Sequence, residues 1–178
     1  DALKMILALA RAGATSRAWD AFVSAGFHSD EVDFQTLTLK GRLLKDRARQ
    51  ATADTKPTLF AQAGEAYQRA ASVKMASYPL INAAAMALHS GDRAAAGQLA
   101  DKALQLIESG VEPGETPYWG EATRAEALLL LGRFNDARAS LAEAVKLAPR
   151  AWEDHAATLR QFALILSEFG EEDSWLDR

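Results

Sequence analysis

Apolar residues recur along the chain at spacings of three and four, broken by short runs rich in Gly, Pro, Ser and Asp. Side chains at that spacing share one face of a helix. The pattern predicts helices near 2–12, 15–25, 32–52, 57–74, 79–90, 93–109, 116–131, 134–147 and 151–169. The breaks fall at AGATS, GFHSDE, ADTKP, ASYP, SGD, SGVEPGETP, LGRFN and APRA, where Gly and Pro supply the turns. No stretch alternates apolar and polar residues for long between turn signals, so no strand is predicted.

A second pattern lies inside the first. The second helix of each successive pair carries small, large and small residues at steps of four and three: Ala18, Phe22, Ala25; Ala63, Tyr67, Ala70; Ala96, Ala100, Ala103; and Ala137, Leu141, Ala144. Gly13, Gly91 and Gly132 each stand five residues ahead of the first Ala of a triplet. Small side chains on one helix face let a partner helix approach closely, and a glycine between the two supplies a left-handed turn. Helix pairs that each bury such a face against the next stack lengthwise.

This resembles the tetratricopeptide repeat (TPR). Residues 125–149 follow its register best, with Ala125, Gly132, Phe134, Ala137, Leu141, Ala144 and Pro149, while Arg124 replaces the usual Leu; Ala84, Gly91, Ala96 and Ala103 follow it one pair earlier. Successive triplets begin at Ala18, Ala63, Ala96 and Ala137, and only the middle interval is close to the repeat's ~34 residues. The expected fold is therefore all-α: an irregular TPR-like solenoid of about four antiparallel helix pairs plus a C-terminal helix, one helical-repeat domain over 1–178, read as a segment of a longer protein.

A narrower resemblance rests on LTLKGRLLKDR (37–47), AYQRAASV (66–73), YPLINAAAMALHSGD (78–92), YWGEATRAEALLLLGRFNDA (118–137) and LAPRAWEDHAATLRQFALIL (147–166). In order and spacing these are similar to the TRAF-binding, central regulatory region of the apoptosis signal-regulating kinases and to bacterial proteins that share that segment. The resemblance implies a regulatory scaffold without a catalytic centre, and it does not transfer the partner.

Composition sharpens this picture. Of 178 residues 38 are Ala and 5 are Pro, which favours helices. The net charge of −4 argues against general nucleic-acid binding. There is no Cys, which removes disulfides and thiolate metal sites and fits a reducing, cytoplasmic setting. Even the longest apolar runs, Met5 to Ala10 and Ala83 to Leu88, fall far short of the ~20 residues of a membrane span.

The densest local feature is Lys40, Arg42, Lys45, Arg47 and Arg49 on the third helix. Arg42, Lys45 and Arg49 share a face and form either a cationic stripe for a peptide, phosphate or RNA strand, or a solvated face paired internally through Asp46. Asn82, just after Pro79 at a helix start, either reads a bound peptide's backbone or ties the helix to the preceding segment. Tyr118 and Trp119 either anchor a partner or pack helices. The last helix presents Leu159, Phe162, Ala163, Leu166 and Phe169 on one face, to cap the stack or to dock a following domain.

Signs of catalysis are missing. His28, His89 and His155 are far apart, and Asp154 beside His155 faces away from it. GETPYWG lacks the Lys and preceding strand of a phosphate loop, and HSGD reads as an interhelix turn with Asp92 as cap. The sequence therefore predicts a non-enzymatic interaction scaffold with no metal or cofactor, whose partner is a protein, a peptide or another domain of the same protein. The alternative is a sensor responding to a peptide or small anion, and single-stranded nucleic acid ranks last because Phe34 is the one aromatic on the basic helix.

Overall fold

The computed structural model describes residues 2–27, 33–110 and 116–171. Among them all regular structure is α-helical: α1 (Ala2–Arg11), α2 (Thr15–Ser24), α3 (Phe34–Gln50), α4 (Lys56–Val73), α5 (Ser77–His89), α6 (Arg93–Glu108), α7 (Pro117–Leu130), α8 (Phe134–Leu147) and α9 (Trp152–Phe169). The fold is an all-α, TPR-like helical repeat. Where the sequence predicts one domain over 1–178, the contacts cluster into two compact units, 1–75 and 76–178.

Helix limits follow the end chemistry. The Asp33 carboxylate accepts the amides of Gln35 and Thr36, Asp92 accepts that of Ala95 and the Thr116 hydroxyl accepts that of Trp119, satisfying donors that a first turn leaves open. Pro79 lies two residues deeper than the first helical position the sequence suggests, because α5 already begins at Ser77; it still falls among the first-turn positions whose N–H has no helical acceptor. At the other ends, Gly91 and Gly132 take φ of +93° and +72°. Beyond them the amides of Asp92 and Arg133 reach back to the Ala87 and Leu128 carbonyls, closing the helix with a left-handed residue that favours Gly.

In the first unit, Ile6, Ala10, Ala18, Phe22, Leu39 and Leu43 form a core that joins α1, α2 and α3. The α3–α4 pair closes around Gly41, where a Cβ would stand 2.8 Å from the Tyr67 ring. Gly41 is thus the hole and Tyr67, the large residue of its triplet, the knob.

In the second unit α5 pairs with α6 and α7 with α8, and α6 also meets α7. Of the twelve triplet residues ten are buried, Ala96 and Ala137 among them. Ala25 is exposed because α2 has already ended there, and Leu141 is half-buried. Pro79 through Leu88 are buried all round, since α5 is packed by α6, α7 and α9 together. A helix closed in on several sides has room for Ala where Leu would clash. Arg124, the departure from the repeat pattern, lies between Glu108 and Glu121 at 3.9 and 3.8 Å.

Candidate functional site

The first unit carries an open cleft of about 330 Å³, lined by Trp19 of α2, Lys40 and Leu44 of α3, and Gln62, Glu65, Ala66 and Arg69 of α4. Its size lies at the small end of ligand pockets, roughly 300–1,000 Å³. Helix geometry makes it. Lys40 and Leu44 are one turn apart on α3, and Gln62, Glu65, Ala66 and Arg69 follow steps of three and four along α4. Leu44 and Ala66, both buried, give an apolar floor between polar groups. Trp19 is fixed from two sides: its ring stacks on Phe22 with centroids 5.8 Å apart, and the Arg47 guanidinium sits 4.5 Å from its centroid, an attraction that also holds Arg47 in place.

The basic run on α3 therefore splits between two faces. Lys40 lines the cleft and Arg47 covers Trp19. Arg42 and Arg49 flank Asp46 at 3.9 and 3.8 Å, and the Lys45 ammonium lies 6.0 Å from the centre of the Tyr67 ring. Of the expected stripe, Arg42 and Arg49 thus pair on their own helix and Lys45 lies by the Tyr67 ring of α4, while Lys40 and Arg69 are the cations that line the cleft. Trp19, Gln62, Glu65 and Arg69 escape sequence reasoning. The one signal for the last three is the polar i, i+3, i+7 face of α4, visible only once that face is set against α3.

The other candidate residues lie in the second unit. The Asn82 amide donates to the Tyr78 carbonyl one turn back at 2.9 Å, and the residue is buried; it ties down the first turn of α5 instead of reading a peptide. Tyr118 is 4% exposed, so it is not a surface anchor. Its hydroxyl lies 2.9 Å from that of Thr158 on α9, and its ring meets those of Trp119 and His155 at 5.2 and 5.3 Å. Burial, with a smaller push from Asp154, raises the Tyr118 phenol above its ordinary value and keeps it protonated. Trp119 keeps 37% of its surface and is the one aromatic of that pair open to a partner. On α9, Phe162 and Leu166 are buried as expected, Leu159 is exposed, and Ala163 and Phe169 are half-buried. His28, Glu172, Asp173 and Trp175 lie outside the described residues.

Among the described residues no three His, Asp or Glu gather as metal ligands, and no helix is long and apolar enough to cross a membrane. His89 and His155 serve different contacts: His89 Nδ1 lies 3.0 Å from Glu168 Oε1, and His155 packs between Tyr118 and Trp152.

Residues 2–89, α1 through α5, match the family model described as Tetratricopeptide Repeats-Sensor. The match covers just under half of the chain and supports a TPR-like fold there. The matched stretch contains every residue of the cleft, whereas the register closest to the repeat consensus lies later, at 125–149. No curated protein and no solved structure matches the chain.

Proposed function

We propose that the chain is a non-catalytic TPR-type recognition module, and that the cleft of its first unit takes an acidic, partly apolar segment of a protein partner. TPR-like repeats are protein-interaction modules, and stacked helix pairs present extended binding surfaces. The observation that carries the reading is the placement of Lys40 and Arg69 at the rim of a floor made by Leu44 and Ala66. Cations beside an apolar surface suit a carboxylate next to an aliphatic side chain, and Gln62 and Glu65 offer acceptors for the amides of an extended segment. The match to a family described as a sensor, together with the small cleft, favours a second reading in which a free small anion occupies the same place. The likeness to the regulatory region of the apoptosis signal-regulating kinases supports a regulatory role in either case, and the cysteine-free composition fits a cytoplasmic one.

The test is thermal unfolding of the chain with a panel of short acidic peptides, their amidated neutral counterparts and inorganic phosphate. A ligand at a hundred times its Kd stabilises by about 2.7 kcal/mol, and that gain disappears in Lys40→Ala/Arg69→Ala but persists in Arg42→Ala/Arg49→Ala. Stabilisation by acidic peptides alone supports the partner reading, and by phosphate alone the sensor reading. No response from any probe, or one that survives loss of Lys40 and Arg69, refutes the site.

A further inference from the structure

The cleft of the first unit holds a charge that the capture of an acidic side chain does not use. Beside the cationic Lys40 and Arg69 stands Glu65, one turn before Arg69 on α4. Glu and Arg at that spacing commonly pair along a helix. Here they do not: Glu65 is exposed and forms no ion pair or hydrogen bond with any described residue. The lining therefore offers a place for an anion and, next to it, an unanswered carboxylate.

Spacing decides what such a lining can tell apart. Residues four apart on a helix lie ~6 Å from each other along its axis. Alternate side chains of an extended segment point the same way and lie ~6.6–6.8 Å apart. A segment laid along α4 with one side chain at Arg69 thus brings the side chain two places away to Glu65. A basic residue suits that place, since its methylenes can rest on the floor of Leu44 and Ala66 while its charge stays at the rim. A second acid there meets the Glu65 carboxylate and is repelled.

We infer that Glu65 is the specificity-determining residue of the cleft, and that the segment it admits carries an acidic side chain for Lys40 and Arg69 and a basic side chain two places away for Glu65. The charge pattern of the lining argues for this occupant over a run of acids. The inference rests on the proposal that the cleft takes an acidic segment, and it adds which acidic segment.

Calorimetric titration at low ionic strength, where such charges are least screened, tests it with peptides blocked at both ends: Ala-Leu-Glu-Ala-Lys-Ala, the same with Glu and Lys exchanged, and Ala-Leu-Glu-Ala-Glu-Ala. The better of the two mixed-charge peptides is expected to bind the unsubstituted chain about fivefold more tightly than the doubly acidic one, an attraction between partly solvated charges having been exchanged for a repulsion. Glu65→Gln removes most of that preference and Glu65→Lys reverses it. Because Glu65 is exposed, neither substitution changes the unfolding temperature of the free chain. Lys40→Ala/Arg69→Ala weakens every peptide that binds. Peptides that depend on Lys40 and Arg69 but bind equally well overturn the role of Glu65 and leave the acid site standing, and a preference that Glu65→Lys does not reverse overturns it too. If no peptide binds, the reading of the cleft itself fails and this inference falls with it.

Discussion

At the scale of single residues, close packing in this chain is achieved by what is left out. Ala84, Ala100, Ala103 and Ala125 have no exposed surface, and at Gly41 even a methyl group is too much, since it would stand 2.8–2.9 Å from three carbons of the Tyr67 ring. Because that ring is itself fully buried, it cannot swing aside without disturbing α4. Gly41→Ala gains helix propensity, up to about 1 kcal/mol, but overpacking a filled site costs typically 1–3 kcal/mol, so a net loss of stability is expected. Urea denaturation of Gly41→Ala and of the double variant Gly41→Ala/Tyr67→Leu checks this. The single variant unfolds at lower urea, and the smaller side chain removes part of the glycine's effect. A Gly41→Ala chain as stable as the original would show that the two helices do not meet there. The alanine positions were legible in the sequence because they recur at a fixed spacing. Gly41 was not, since a lone glycine within a helix announces no partner, whereas for Tyr118 helix packing was one of two readings and burial decides for it.

At the scale of elements, helix ends could be read closely because capping is local chemistry. Asp33 shows how that chemistry sets an end: it caps α3, which begins at Phe34, two residues after the predicted start at 32. Hydrogen bonds from Thr36, and less strongly from Gln35, hold its carboxyl below the ordinary value of 3.8 against a small opposing effect of burial. A carboxylate whose folded-state pKa is depressed stabilises the fold fully above its unfolded value, and that contribution disappears as pH falls through the folded one. Asp33→Ala is therefore expected to cost about 1 kcal/mol at neutral pH, with the gap closing as the solution is acidified below 3.8. Denaturant titrations of both chains across that range decide it, and a gap independent of pH would mean that the carboxylate is not the cap. Faces were harder to read than ends. The register of α3 put Arg42, Lys45 and Arg49 together and offered Asp46 as an internal partner, which Arg42 and Arg49 take, but sequence alone could not say that Lys45 lies by Tyr67 and that Lys40 and Arg47 turn toward Trp19.

At the scale of the whole molecule, the repeat was legible and the path of α9 was not. Periodicity placed the apolar face of α9 on Leu159, Phe162, Ala163, Leu166 and Phe169, of which Phe162 and Leu166 are buried while Leu159 is exposed and Ile165 is buried in its stead; it says nothing of whether the face lies on the preceding helix or on α5 and α7. The clustering of contacts into 1–75 and 76–178 was equally out of reach, because an array of helix pairs looks continuous in sequence even when local contacts divide it. That division has a measurable consequence. Phe22 is completely buried in the core of the first unit, among Ile6, Ala18, Leu39 and Leu43, with Trp19 stacked on its ring. Replacing a buried Phe with Ala costs roughly 3–5 kcal/mol. In arrays whose stability is a sum of local terms, such a loss is felt where the contacts are. Hydrogen exchange of Phe22→Ala should therefore show amides of α1 to α4 losing protection by two or more orders of magnitude, about 1.4 kcal/mol for each tenfold, while α7 and α8 keep theirs. Equal loss in both units would mean that the chain opens as one cooperative body, and that the boundary near Met75 divides contacts without dividing stability.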